Sequence, residues 1–166
     1  MSSHCHVQSP ALFPVAALRQ VSLQIAGRVV RFVAADDDVI LAVSGVRSSF
    51  VVDDDAAATC VVTCEYGEPA PGDTPVVADS TTLWELRRRV TGEDEITFYA
   101  PVGDDRLAWS QLIVHPTFEG ARLIQRRRWG GQSTLRVGYP VDELLMCRLL
   151  VSEGVLVVHG ATVEYE

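Results

Sequence analysis

Four strand-length segments, separated by turn-forming residues, restrict the folds open to residues 81–129. Each segment carries β-branched or aromatic residues, and the stretches between them read T-G-E-D, V-G-D-D and P-T-F-E-G. Such stretches favour tight turns, so consecutive strands are expected to pair as neighbours. The pattern predicts an antiparallel β-meander with one face in solvent. The four segments are L-W-E-L-R-R-R-V, E-I-T-F-Y-A-P, L-A-W-S-Q-L-I-V and A-R-L-I-Q-R-R-R-W.

The first part of the chain contains a leader and a hairpin pattern. Residues 1–17 include two prolines and show no hydrophobic period, which predicts a loosely ordered leader. Apolar and polar residues alternate within 20–34 on either side of Ala26-Gly27. This alternation predicts two short strands joined by a tight turn.

Two acidic triplets follow the hairpin. Asp36–Asp38 precede an apolar run, and carboxylates favour a helix N-terminus, so a helix is expected there. The triplet at 53–55 precedes a strand-like run, and residues 66–80, rich in Pro and Gly, predict a loop. Neither triplet has the alternating ligands of a calcium-binding loop, so capping and turn formation are the preferred interpretation.

The C-terminal residues predict a helix followed by two strands. Pro140 stands at the start of an apolar segment with Asp142 and Glu143 in its first turn, and Gly154 lies just beyond its end. The run V-L-V-V at 155–158 is typical of a strand buried on both faces. The predicted fold class is α+β: an antiparallel β-meander, one buried C-terminal helix and a terminal β-hairpin.

The predicted elements divide the chain into three parts. Residues 1–17 form the leader, 18–136 form a mostly antiparallel β domain, and 137–166 form the helix with the strand pair. Hydrophobic residues make up 48% of the sequence, enough for one domain with a real core.

The charged residues exclude several classes of function. The formal net charge of −8 argues against nucleic acid and against an anionic membrane surface as partners. All 14 basic residues are Arg, so no Walker lysine, Schiff-base lysine or Ser–Lys dyad exists in this sequence. No apolar run of about 18 residues occurs, so no transmembrane helix is expected. Four cysteines without an export signal indicate reduced thiols and a cytoplasmic location.

The stretch Y-P-V-D-E-L-L-M-C-R-L-L, followed by V-H-G, resembles the lead-in to the phosphate-binding loop of HPr kinase/phosphorylase-like P-loop serine kinases. The resemblance implies that His159 is an active-site residue near the transferred phosphate and that Gly160 completes its motif. It also implies ATP and magnesium as cofactors of the complete family enzyme. No G-x-S-G-x-G-K-[ST] motif occurs in these 166 residues. The expectation is an N-terminal segment that binds no cofactor alone.

The same resemblance implies partners. They are a downstream or separate P-loop kinase core and a peptide or small-protein substrate, and a homo-oligomer is also compatible with it. A rival hypothesis is a free-standing, non-catalytic binding module that uses an Arg-bearing sheet face or the edge of its terminal strand.

Two arginine triplets could provide such a face. Successive residues of a strand point to opposite sides, so each triplet places two Arg on one face. If the two strands pair, Arg87, Arg89, Arg126 and Arg128 form a patch for phosphate or a phosphopeptide. The alternative is an ordinary solvated strand face in a chain without Lys.

A zinc site is a weaker alternative for the cysteines. Cys60 and Cys64 have a spacing that zinc sites tolerate and share one strand face, and His4 and His6 lie in the leader. The preferred interpretation is that both thiols pack in the core, because free Cys commonly behaves as a small apolar residue.

Overall fold

The computed structural model describes residues 18–43, 45–53, 55–102, 105–127 and 134–154. These residues form eleven strands, a 3-10 helix at Gly45–Phe50 and one α-helix, α1, at Val141–Ser152. The strands are β1 Gln20–Ile25, β2 Arg28–Ala34, β3 Ile40–Val43, β4 Val51–Val52, β5 Cys60–Tyr66, β6 Val76–Asp79, β7 Trp84–Arg88, β8 Asp94–Val102, β9 Asp105–Val114, β10 Gly120–Gln125 and β11 Thr134–Val137.

Nine of the strands form one sheet in the order β4-β1-β2-β5-β10-β9-β8-β7-β6. The meander from β7 to β10 is antiparallel between successive strands, as the turn chemistry predicts. β5 lies between β2 and β10 and is parallel to both of them. A second sheet consists of β3 and β11, paired in parallel. The α+β class with an antiparallel-rich sheet and a C-terminal helix is therefore confirmed.

The β1–β2 hairpin is also confirmed. Its turn residues Ala26 and Gly27 have φ values of 50° and 76°, which is the left-handed pair that a two-residue hairpin turn requires. The strands pair in register from Gln20 opposite Val33 to Ile25 opposite Arg28.

The prediction of a helix after Asp36–Asp38 is wrong, because the apolar residues Ile40–Val43 form strand β3. Val39 and Leu41 are fully buried, and the β-branched run is short and pairs with β11. Tertiary pairing therefore overrides the acidic helix-start signal. The loop expected over 66–80 holds for its first part only, since β6 occupies Val76–Asp79 at the edge of the large sheet.

One hydrophobic cluster joins both sheets and α1. Inward-facing residues alternate along the strands, and Phe32, Phe98 and Leu41 are at most 1% exposed. α1 begins after Pro140, as the sequence predicts, and buries Leu145 against this cluster. No helix within the described ranges is long and apolar enough to cross a membrane.

The opposite face of the meander is polar but not fully in solvent. Glu95, Thr97 and Gln111 lie on this face and are at most 2% exposed. The Pro-rich segment 67–75 covers them: the Gln111 amide donates to the Ala70 carbonyl at 2.9 Å, and Glu95 accepts from the Gly72 N–H at 2.7 Å. The expectation of a solvated face therefore fails where this segment crosses the sheet. The predicted terminal hairpin lies outside the described residues.

Candidate anion-binding site

A cavity of about 370 Å³ opens where the end of β10, strand β11 and the start of α1 meet. Three arginines from three different elements line it together with two aromatic rings. We call it the arginine cavity; its defining residues are Arg47, Arg126, Arg136, Trp109 and Tyr139.

Strand alternation brings Arg136 to the cavity. Its neighbours Leu135 and Val137 are buried in the core, so Arg136 projects from the other face of β11 and is exposed. Within the described part of the chain, its side chain has no hydrogen-bond or ion-pair partner. The Arg136 guanidinium therefore brings an unneutralised positive charge to the cavity.

Arg47 is fixed by an acidic residue of α1. Its Nε donates to Asp142 Oδ2 at 2.8 Å, and the Asp142 side chain is only 5% exposed. This hydrogen bond raises the pKa of Arg47 above its usual value, despite the opposing effect of burial. Asp142 thus holds Arg47 as a fixed part of the cavity wall.

Arg126 follows β10 directly and is held beside a β-bulge. The bulge lies between Phe98 and Tyr99 in the β8–β9 pairing and leaves Trp109 without a partner opposite it. The Arg126 N–H donates to the Trp109 carbonyl at 2.9 Å, and its Nε donates to the Ala108 carbonyl at 3.3 Å. The bulge therefore places the Trp109 ring and the Arg126 guanidinium on one cavity wall.

The remaining partner of Arg126 is a solvated carboxylate. Arg126 Nη2 lies 2.5 Å from Glu68 Oε2, and the Glu68 side chain is 72% exposed. Exposed ion pairs contribute about 0–1 kcal/mol to stability. An anionic ligand can therefore replace Glu68 at small energetic cost.

The positive charge of the cavity comes from side chains and not from the N-terminus of α1. The first N–H groups of this helix already have acceptors: the Val141 and Asp142 N–H groups donate to Gly138, and that of Glu143 donates to Asp142 Oδ1. Guanidinium groups bind carboxylate and phosphate through paired hydrogen bonds. The arginine cavity is thus chemically suited to one compact anionic group beside aromatic rings.

The two strands that carry the arginine triplets do not pair, so the condition for the predicted four-arginine patch is not met. β8 and β9 separate β7 from β10, which places these strands about 14 Å apart at the usual strand spacing. Arg87 is paired with Glu85 at 3.0 Å, and Arg89 with Glu95 at 2.7 Å. Of the predicted phosphate-binding residues that the structure describes, Arg126 alone lies in the arginine cavity.

The other predicted sites fall in the core or outside the described residues. Cys60 and Cys64 are fully buried on the inward face of β5, and burial raises the pKa of their thiols to about 11 and about 12. Their burial in the hydrophobic cluster supports the interpretation that both thiols pack in the core. Arg128, His159 and Gly160 lie outside the described residues, as do His4 and His6 of the leader.

Sequence reasoning missed Arg47, Arg136 and Tyr139. The alternation Leu-Arg-Val at 135–137 was a signal that Arg136 projects from a strand, but nothing in the sequence indicated its neighbours.

Comparison of this chain with models of known protein families, with curated proteins and with solved structures finds no match.

Proposed function

We propose that this chain is the non-catalytic, substrate-binding N-terminal part of an HPr-kinase-like phosphotransferase. Its arginine cavity binds an acidic or phosphorylated side chain of a peptide or small protein. The observation that carries the binding role is the guanidinium of Arg136, which has no partner among the described residues, in a cavity where Arg47 is already fixed.

The kinase-like part of the proposal is supported by the resemblance around Tyr139–Gly160 and by nothing else. The resemblance begins at Tyr139, a residue of the cavity wall, so the binding site and the family-like segment adjoin. ATP and magnesium belong to the P-loop core that the proposal adds as a partner, and His159 acts there. The free thiols of Cys60, Cys64 and Cys147 are consistent with the proposed cytoplasmic location.

The binding role is tested with the peptide Ac-Ala-Ala-pSer-Ala-Ala-NH2 in isothermal titration at low salt. Wild-type protein should bind it, and Arg136→Ala should weaken binding by about tenfold or more, because a hydrogen bond to a charged group contributes about 1.5–3 kcal/mol. Arg122→Ala is the matched control, since Arg122 is exposed on the sheet face and pairs with Glu65 away from the cavity. The unphosphorylated peptide should bind more weakly.

Equal affinity of the wild-type protein and Arg136→Ala for the phosphopeptide contradicts the proposed site. Equal losses in Arg136→Ala and Arg122→Ala contradict it as well, because they show general attraction between an anion and surface arginines. The alternative of a free-standing module predicts the same binding without any kinase core, so binding alone supports the site and not the family.

A further inference from the structure

A second depression lies beside the arginine cavity and has the opposite chemistry. It has a volume of about 320 Å³ and runs between the 3-10 helix and one side of α1. Its apolar wall consists of Ile25, Phe50, Met146, Cys147 and Leu150, and we call it the apolar groove. Phe50 is 42% exposed at the rim of the groove, so its ring is accessible to a ligand.

The apolar groove and the arginine cavity share a wall. Arg47 lines both of them, and its ion-pair partner Asp142 lines the groove. Because Asp142 is buried and neutralised by Arg47, this pair forms a fixed partition between the two depressions. A ligand that crosses the partition meets guanidinium groups on one side and apolar side chains on the other.

The charges around the two depressions favour one orientation of a ligand that carries an acidic group. The groove end carries the exposed carboxylate of Glu143, whereas the cavity contains Arg136, for which the described ranges supply no partner. An acidic group is repelled from the groove and attracted to the cavity.

We propose that the arginine cavity and the apolar groove bind one ligand together. The ligand is a polypeptide segment whose acidic or phosphorylated residue enters the cavity and whose bulky aliphatic neighbours enter the groove. This inference rests on the proposed function of the cavity. Arg47 lines both depressions, so they adjoin, and an extended pentapeptide of roughly 17 Å presents several side chains to such neighbouring sites.

The test compares Ac-Leu-Leu-pSer-Leu-Leu-NH2 with the alanine peptide described above. Burial of leucine side chains in the groove should make the leucine peptide bind about tenfold more tightly to wild-type protein. Phe50→Ser should remove most of this difference and leave affinity for the alanine peptide unchanged. Val151→Ser is the matched control, because Val151 is 53% exposed on α1 outside the groove, and it should preserve the difference.

A second measurement reports where the peptide lies. Cys147 lines the groove and is partly exposed, so its alkylation by N-ethylmaleimide, read by mass spectrometry, reports groove occupancy. Saturation with the leucine peptide should slow alkylation of Cys147 severalfold. Saturation with the alanine peptide should leave it unchanged.

The outcomes separate the two proposals. If wild-type protein binds both peptides with equal affinity, and Arg136→Ala weakens both, the proposal of a binding cavity is supported and the proposal of a joint site is overturned. If neither peptide binds wild-type protein, both are overturned. The joint site is also overturned if Phe50→Ser still binds the leucine peptide more tightly and this peptide does not slow alkylation of Cys147. The leucine side chains then bind outside the groove.

Discussion

Most arginines of the described residues form ion pairs with carboxylates, which is why the first arginine triplet does not provide a free cationic face. Arg87 and Arg106 both donate to Glu85, and Tyr99 donates to the same carboxylate at 3.1 Å. The Glu85 side chain is only 14% exposed. Sequence reasoning identified the arginines, but the register of β7 against β8, which sets Glu85 opposite Thr97, is what brings Tyr99 to this carboxylate.

Glu85 should make stability depend on pH. Burial acts to raise the pKa of Glu85, but hydrogen bonds from Arg87, Tyr99 and Arg106 outweigh it and hold the pKa below its usual 4.5. The stabilisation is therefore present above pH 4.5 and is lost as the pH falls through the lowered pKa. Glu85→Gln should cost about 1–2 kcal/mol at pH 7, and this difference from wild type should shrink below pH 4.5.

Urea unfolding between pH 3 and pH 7 measures this effect. Glu119→Gln is the control, because Glu119 is exposed on a turn and should change stability little at any pH. A difference between Glu85→Gln and wild type that stays constant across this pH range would contradict the role assigned to the charged carboxylate.

At the scale of elements, the carboxylate of Asp94 links α1 to the meander through two arginines. Asp94, at the start of β8, accepts hydrogen bonds from Arg88 of β7 and from Arg148 of α1, and its side chain is 7% exposed. Apolar burial of α1 supplies most of the packing energy, and this ion triad fixes where the helix sits along β8. The helix was predictable from its apolar run, whereas its contact with Asp94 was not.

Asp94→Asn should therefore loosen α1. The change keeps the shape of the side chain but removes its charge, and we expect a loss of about 1–3 kcal/mol, because the guanidinium groups are partly exposed and can be rehydrated. Amide hydrogens of α1 should exchange faster, with a smaller change in β9. Asp73→Asn, on the exposed part of segment 67–75, is the control and should change neither. Equal acceleration of amide hydrogen exchange in the sheet and in α1 would contradict a local effect of Asp94 on the helix.

At the scale of the whole molecule, the chain has a cavity lined by arginines but no Walker lysine in its 166 residues. Its 166 residues contain no lysine and no Walker sequence, and a P-loop kinase requires both to hold the transferred phosphate. The meander, β5 and α1 enclose one core that positions the arginine cavity next to the segment with the kinase-like resemblance.

The purified 166-residue chain should therefore not hydrolyse Mg-ATP or transfer its phosphate to a peptide. Release of inorganic phosphate, followed over hours at millimolar Mg-ATP, should equal the protein-free blank. His159→Ala should leave this background unchanged in the chain alone, and it should abolish transfer in a protein extended through a P-loop core. Hydrolysis by the chain alone that disappears in His159→Ala would show that these residues already contain a complete site.

The sequence by itself determined most of the local structure of this protein. The β1–β2 turn at Ala26-Gly27, the four meander strands and the bounds of α1 follow from alternation, turn chemistry and end signals, all of which act over a few residues. Tertiary structure decided the remainder. Parallel pairing with β11 made residues 40–43 a strand, and β8 and β9 separated the arginine triplets. Arg47 meets Arg126 and Arg136 only because the 3-10 helix, about 80 residues earlier in the chain, packs beside β11 and α1, and no local pattern encodes such a meeting.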